Sequence, residues 1–407
     1  METKKLTRRL NIHYTLIQMA FWMSFVCIIN FAAVILQYDG FESSQVGTII
    51  MLAAILSTFM QSWLGDASDR YQAMTPRRIM VCMALFAIAV ASLLAFVNLP
   101  LLIRAILYVL VITDIYSIQP FITSMCFGYI NRGIPMNFGV ARGIGSVASA
   151  ASSFTLGKLM TRFNPRVTMP FFIGYYVLLM IFGFFFRLKP EEEAAYPDRV
   201  HSAKAKGERG SFLEFFRKYR LFCFFLVGMI VLKAGNQIIF TYLNRIVERV
   251  GGDNAALGRA AAIASLSELP AMALSKRLIQ RFGSSALLKI SAFFFLVKAV
   301  LLAFSTSMGM VYFGQAFQML SFALLIPVST YYCNEVVEVK DQVTGQALTA
   351  VALNCISSAI GNFFGGMLLQ YTGLKTTLLV ALVLVVLGML LFFITAKRPE
   401  AMQAKIS

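Results

Sequence analysis

Twelve apolar runs, each close to the roughly 20 residues a helix needs to cross a bilayer, alternate with short polar connections along the chain. Their windows are 12–37, 46–65, 79–98, 101–130, 138–162, 167–187, 220–244, 255–280, 284–305, 309–334, 345–370 and 375–396. Apolar residues run through them continuously and do not alternate at period two, so the pattern predicts helices and not an outer-membrane barrel. The one long connection, 188–219, carries Glu191, Glu192, Glu193, Pro197, Lys204, Lys206 and Arg209. It predicts a mobile linker with an amphipathic piece at SFLEFFRKYR. The chain therefore reads as an all-α membrane protein with 12 transmembrane helices. It divides into a six-helix bundle over 1–187, a cytoplasmic linker over 188–219 and a second six-helix bundle over 220–407.

Composition agrees. Of 407 residues, 58% are hydrophobic and 14% charged, against about 45–50% and about 25% in an ordinary soluble domain. A disordered chain, a collagen-like chain and a disulfide scaffold are excluded. The net charge of +17 would suggest nucleic acid in a soluble protein. Here the basic residues fall between apolar runs and read as orientation signals, with no nucleic-acid partner. With both termini cytoplasmic, the cytoplasmic segments hold about 25 Lys and Arg and the outer ones about seven, including Lys158, Arg162 and Arg166. The six cysteines all lie in apolar runs without CxxC spacing and read as small buried hydrophobes. The start, METKKLTRRL, leads into a run longer than a signal h-region, which predicts a retained first span.

The halves look related. FGVARGIGSVASAASSFTLGKLM (138–160) and GQALTAVALNCISSAIGNFFGGML (345–368) share a Gly/Ala/Ser-rich layout. Small residues let membrane helices approach closely. Six-plus-six halves with a midplane site between them form a known transporter plan. Between the second and third windows stands GDASDRYQAMTPRR. Gly65, Asp69 and Arg70 fit the G-x-x-x-D-R core of the loop that marks the major facilitator superfamily, and Arg77 and Arg78 resemble its basic tail. The resemblance implies a gating and structural role for this loop, with Gly65 allowing a close helix approach and Asp69 accepting bonds. The family's Gly after the Asp-Arg pair is replaced here by Gln72 and an extra stretch.

A charge at bilayer depth costs several kcal/mol, so each one marks a site. Asp114, Lys233, Glu268 and Lys298 stand near window centres, and Arg142 stands early in the fifth. His13 and His201 lie outside the central region, so proton coupling must use a carboxylate. Glu268, followed by the helix-loosening Pro270, reads as a substrate and proton site, or as a structural partner of Lys233 or Lys298. Asp114 reads equally as a second protonatable site or a helix-bonding acid. Lys233, Asn236 and Gln237 share neighbouring helix faces, and amides suit a hydroxylated or nucleobase ligand as well as interhelical contacts. Gln318 and Asn354 carry the same two readings. Lys298 balances an acid or meets the ligand. Arg142, among Gly139, Gly143 and Gly145, offers five donors to a solute or reaches out to the membrane surface.

FGVARGIGSV is similar to the fifth-span signature of the oligosaccharide and nucleoside proton symporters, the group of the lactose permeases. That resemblance implies substrate contact at Arg142, a coupling position at Lys298 and a nucleoside-symporter-like acid at Glu268. The lactose permeases' substrate Glu, sugar-stacking Trp and span-ten His correspond to Ser124, Ser149 and Gln318, which argues against lactose. Trp22 and Trp63 are the only tryptophans, so stacking on a solute falls to Phe or Tyr.

The function this predicts is proton-coupled import of a small polar solute, a sugar or nucleoside, by alternating access. The resemblance places a monomer in a bacterial-type inner membrane. The competing reading is a proton-driven exporter of lipophilic compounds, kept open by 37 Phe and 21 Met, though 143–160 lacks the proline such antiporters carry. No HExxH, GxSxG or Walker loop is present, so the chain is not expected to be an enzyme, and no cofactor or metal is called for.

Overall fold

The computed structural model describes residues 2–71, 73–196, 212–338 and 341–397. Among them the chain forms α-helices joined by turns, with no strand. α1 (Glu2–Phe25) runs through a π turn at Val26–Asn30 into α2 (Ala32–Tyr38). Then come α3 (Ser43–Arg70), α4 (Pro76–Phe96), α5 (Leu101–Asn131), α6 (Phe138–Arg162) and α7 (Thr168–Phe185). Two short helices, α8 (Pro190–Ala195) and α9 (Phe212–Lys218), lie in the linker window. α10 (Arg220–Thr241), α11 (Leu243–Arg249), α12 (Asn254–Phe282), α13 (Ser284–Ala303), α14 (Met308–Ala316) and α15 (Phe322–Val336) follow. α16 (Gln342–Ala350) leads through a second π turn, Val351–Ile356, into α17 (Ser357–Thr395).

Helix thus occupies every window the apolar pattern predicts. Among the described residues, eight stretches are long and apolar enough by themselves to cross a membrane. The others have local reasons. Gly and Ser dilute α6, and Arg259 and Glu268 interrupt the apolar run of α12. The window 309–334 is broken by the turn between α14 and α15. Windows eleven and twelve count as one stretch, 344–395, because α17 changes direction only at Gly373. Its φ of 80° lies in the left-handed region that a residue with a Cβ avoids. Helix starts follow capping chemistry: the Thr75, Asn137, Asp253 and Ser307 side chains each accept the backbone N–H three residues on.

The chain groups into two compact units. The first comprises Met1–Ala32 and Leu56–Lys206, the second Ala33–Ile55 and Gly207–Ser407. In the second unit α10 packs against both arms of α17. A Cβ at Gly361 would stand 2.6 Å from the Ala234 carbonyl oxygen, and one at Gly388 2.5 Å from the Leu232 amide nitrogen. Backbones this close gain dispersion contact, the main attraction between helices in lipid. In the same unit the Tyr242 hydroxyl donates to the Ser43 carbonyl at 3.0 Å, and Asn244 Nδ2 to Gln37 Oε1 at 3.1 Å. With the Ser44 N–H donating to Gln370 Oε1 at 2.9 Å, residues 33–55 are tied to the α10–α11 junction, α11 and α17.

The linker expectation changes in part. Lys204, Lys206, Arg209 and Pro197 lie outside the described residues. The acidic stretch before them is no free linker. It forms α8, with Arg9 bonded to Glu192 at 2.6 Å and Arg132 3.9 Å from Glu193. Slight burial acts to raise the Glu192 carboxyl, but the Lys189 amide and the Arg9 guanidinium outweigh it and hold the group below its usual range. On the second unit's side, Lys218 binds Glu338 at 2.7 Å and Asp341 at 3.2 Å. Of the cysteines, four are buried as expected, Cys355 is half-buried and Cys82 is exposed. Cys82 therefore does not read as a buried hydrophobe.

Candidate functional site

The two units carry separate clusters of the residues singled out above. In the first, α6 presents Arg142. Its Nη1 donates to Ser146 Oγ at 2.6 Å, one turn on. Its guanidinium carbon lies 3.8 Å from the centre of the Trp22 ring on α1. Gly145 makes this possible, since a Cβ there would stand 2.7 Å from Trp22 Cδ1. The Trp22 indole N–H donates to Gln18 Oε1 at 3.0 Å, and Gln18 Nε2 to the Tyr14 hydroxyl at 2.7 Å. A cation over an aromatic face is attracted by the ring quadrupole, and the stacking fixes the plane of the fork. Arg142 is therefore held in place by a three-residue relay on α1. The sequence reading left Trp22 aside. The i, i+4 spacing of Tyr14, Gln18 and Trp22 was the signal that could have found the relay.

Asp114 lies in the same unit on α5, 1% exposed. Tyr176 on α7 donates its hydroxyl to Asp114 Oδ2 at 2.9 Å, while Asp114 Oδ1 is buried with no partner. The polar sequence neighbours Tyr116, Ser117 and Gln119 are not its bond partners. The loop residues end α3. Within its own unit, no described atom lies within 4 Å of where a Cβ at Gly65 would stand. Arg70 is exposed. The Asp69 side chain and Gln72 lie outside the described residues. The basic tail binds carbonyls: Arg77 Nη1 donates to Phe184 O at 3.0 Å and Arg78 Nη1 to Ala73 O at 2.9 Å.

In the second unit three of the predicted residues form one chain. Lys298 Nζ on α13 donates to Gln318 Oε1 at 2.5 Å, and Gln318 Nε2 donates to Glu268 Oε1 on α12 at 3.1 Å. Gln318 can serve both ends because it sits in the turn between α14 and α15, where its amide is not committed to a helix face. The charges at the two ends set which way the amide points. Lys298 and Gln318 are buried and Glu268 is half-buried. Lys233, from α10, lies within electrostatic reach of both Lys298 and Glu268. Its ammonium stands over the Phe322 ring at 4.1 Å.

The amides divide. Asn236 is buried beside Lys233 on α10. Gln237 turns away toward α17, donating to Thr241 Oγ1 at 3.2 Å, and Thr241 donates to Asn362 Oδ1 at 2.5 Å. Asn362 was not singled out from the sequence, although it is fully buried. Asn354 is exposed in the second π turn, and no described hydrogen bond joins it to the Lys298–Gln318–Glu268 chain. Among the described residues no group of His, Cys, Asp and Glu could hold a metal ion.

The MFS_1 like family profile matches residues 9–380. The maltose permease of Geobacillus stearothermophilus is 24% identical over 386 residues, covering 93% of this chain and 92% of the permease. An uncharacterized transporter, YwbF, of Bacillus subtilis (strain 168) is 23% identical over 337 residues, 82% of this chain and 77% of that protein. A crystal structure of the nucleoside transporter NupG superposes with a TM-score of 0.75 at 14% identity, covering 98% of this chain and 99% of NupG. A bacterial homolog of the human lysosomal transporter Spinster gives 0.65 at 13% identity, over 96% of this chain and 97% of that one.

Proposed function

Because the chain belongs to the MFS_1 like family of major facilitator transporters, we propose that it imports a small polar solute, of sugar or nucleoside size, together with a proton. The observation that carries this reading is the Lys298–Gln318–Glu268 chain. It ends on a half-buried carboxylate that can gain and lose a proton. The printed names of two similar proteins, a maltose permease and a nucleoside transporter, support the solute class.

With Glu268 ionised, the Gln318 amide N–H binds the carboxylate and its oxygen binds the ammonium. Protonation removes the negative end, weakens the N–H bond and frees carboxyl and amide for a solute. Arg142 and Asn236 supply further donors, with Gln237, Gln318 and Asn354 as additional solute contacts once the site rearranges. Lys233 and Lys298 set the field at Glu268, and Asp114 is a second proton site. The Gly65, Asp69 and Arg70 loop acts in gating. The six-plus-six partition about 188–219 provides the rocking halves, in an inner membrane with both termini cytoplasmic and the protein monomeric.

The test is uptake into proteoliposomes with an imposed proton gradient. In Glu268→Gln, uphill accumulation is lost while exchange down a solute gradient persists. Normal accumulation in that variant refutes the role.

A further inference from the structure

The charges buried in the second unit do not balance. Lys233 is 6% exposed and Lys298 5% exposed. Glu268 is the one carboxylate among the described residues of that unit that stands in the middle of a long helix. Its other acids, such as Asp253, Glu335 and Asp341, occupy helix ends or connections. Asp253 caps α12, Glu335 binds Ser284, and Asp341 binds Lys218. Glu268 and Lys298 are joined through neutral Gln318, so they offset one another. Lys233 stands over the π face of Phe322 and shares the field of that one carboxylate with Lys298, so two buried ammonium groups face a single acid. A ring quadrupole attracts a cation but carries no net charge. A buried charge without a counter-charge is strongly unfavourable.

From this geometry we propose that the transported solute is a monoanion, whose carboxylate pairs with Lys233 while its polar body meets the Asn236 and Gln318 amides. The inference rests on the coupled-import reading above and names the solute class for it. It also explains the coupling in terms of charge. With Glu268 ionised, the three groups sum to one positive charge. Protonation of Glu268 raises that to two, and an entering carboxylate returns it to one. Proton and anion therefore favour each other's binding, and the pair that crosses is neutral. A neutral sugar carried with a proton would instead move one charge.

The experiment uses the full-length protein and matched pairs that differ in one acid group: glucose with glucuronate, and uridine with orotidine. Binding is followed by thermal unfolding in detergent, and uptake of the same radiolabelled compounds in proteoliposomes. We expect the acid member of at least one pair to bind roughly ten- to a hundredfold more tightly, the value of one charge-assisted hydrogen bond. Lys233→Gln and Lys233→Met, checked to unfold near the wild-type temperature, should erase that preference. Uptake of the acid should follow an imposed pH gradient and ignore a potassium-diffusion potential. Three binding results overturn the proposal: equal or better binding of the neutral members, no binding of any acid member, or an acid preference that survives both Lys233 variants. Uptake of a neutral member driven by potential overturns it too, but leaves coupled import standing. Tight binding of an acid without gradient-driven accumulation does the reverse: it keeps the anion site and refutes coupled import.

Discussion

Replacing Gln318 with leucine cuts both bonds of the relay at once, and the structure allows the cost to be worked out. The Lys298–Gln318 bond is buried at both ends, so it contributes about 1.5–3 kcal/mol as a hydrogen bond to a charged group. The Gln318–Glu268 bond is 3.1 Å long with a half-buried acceptor, and solvent screening reduces it to about 1 kcal/mol. Leucine recovers about 1 kcal/mol through its apolar surface. The net loss is about 2 kcal/mol, or about 30-fold in the unfolding equilibrium. Gln315, 4% exposed with its Oε1 unpartnered, is the control, because leucine there removes a buried acceptor that has nothing to bind. Gln315→Leu should be neutral or stabilising. The assay is equilibrium unfolding of both variants in mixed micelles under increasing denaturing detergent. If Gln318→Leu costs no more than Gln315→Leu, the relay is not an energetic unit and the argument from it fails.

Two further outcomes follow from the packing, each read by the same unfolding assay. Tyr176→Phe strips Asp114 of its Oδ2 donor and should cost about 1–3 kcal/mol. Adding Asp114→Leu should recover part of that, and no recovery would mean the acid has another role. Gly388→Ala drives a methyl into the α10 backbone at Leu232 and should cost about 1–3 kcal/mol, whereas Gly65→Ala faces open space and should be neutral or stabilise by up to about 1 kcal/mol. Equal effects at the two glycines would contradict the close approach of α10 and α17.

The fold was legible in the sequence because a bilayer imposes a simple condition: a run of about 20 apolar residues must close its own backbone hydrogen bonds, and only a helix does so within one segment. The windows, the long central connection and the loop with Gly65 and Arg70 needed no neighbours to be read. The cost of burying charge likewise picked out Lys233, Glu268, Lys298, Arg142 and Asp114. What charge cost cannot give is the partner. That Lys298 reaches Glu268 through Gln318, that Asp114 meets Tyr176 and that Arg142 lies on Trp22 depend on residues 20 to 120 positions apart meeting across helices. Helix periodicity fixes which residues share a face, but the rotation of that face toward a neighbour is set by packing. The same holds for Gly65 and Gly388: both are glycines within apolar helices, and only the neighbouring backbone at Leu232 makes one indispensable and the other free. Sequence alone thus determined the elements and the groups too costly to bury without use. Tertiary structure decided that two buried lysines, Lys233 and Lys298, share the field of one acid, Glu268.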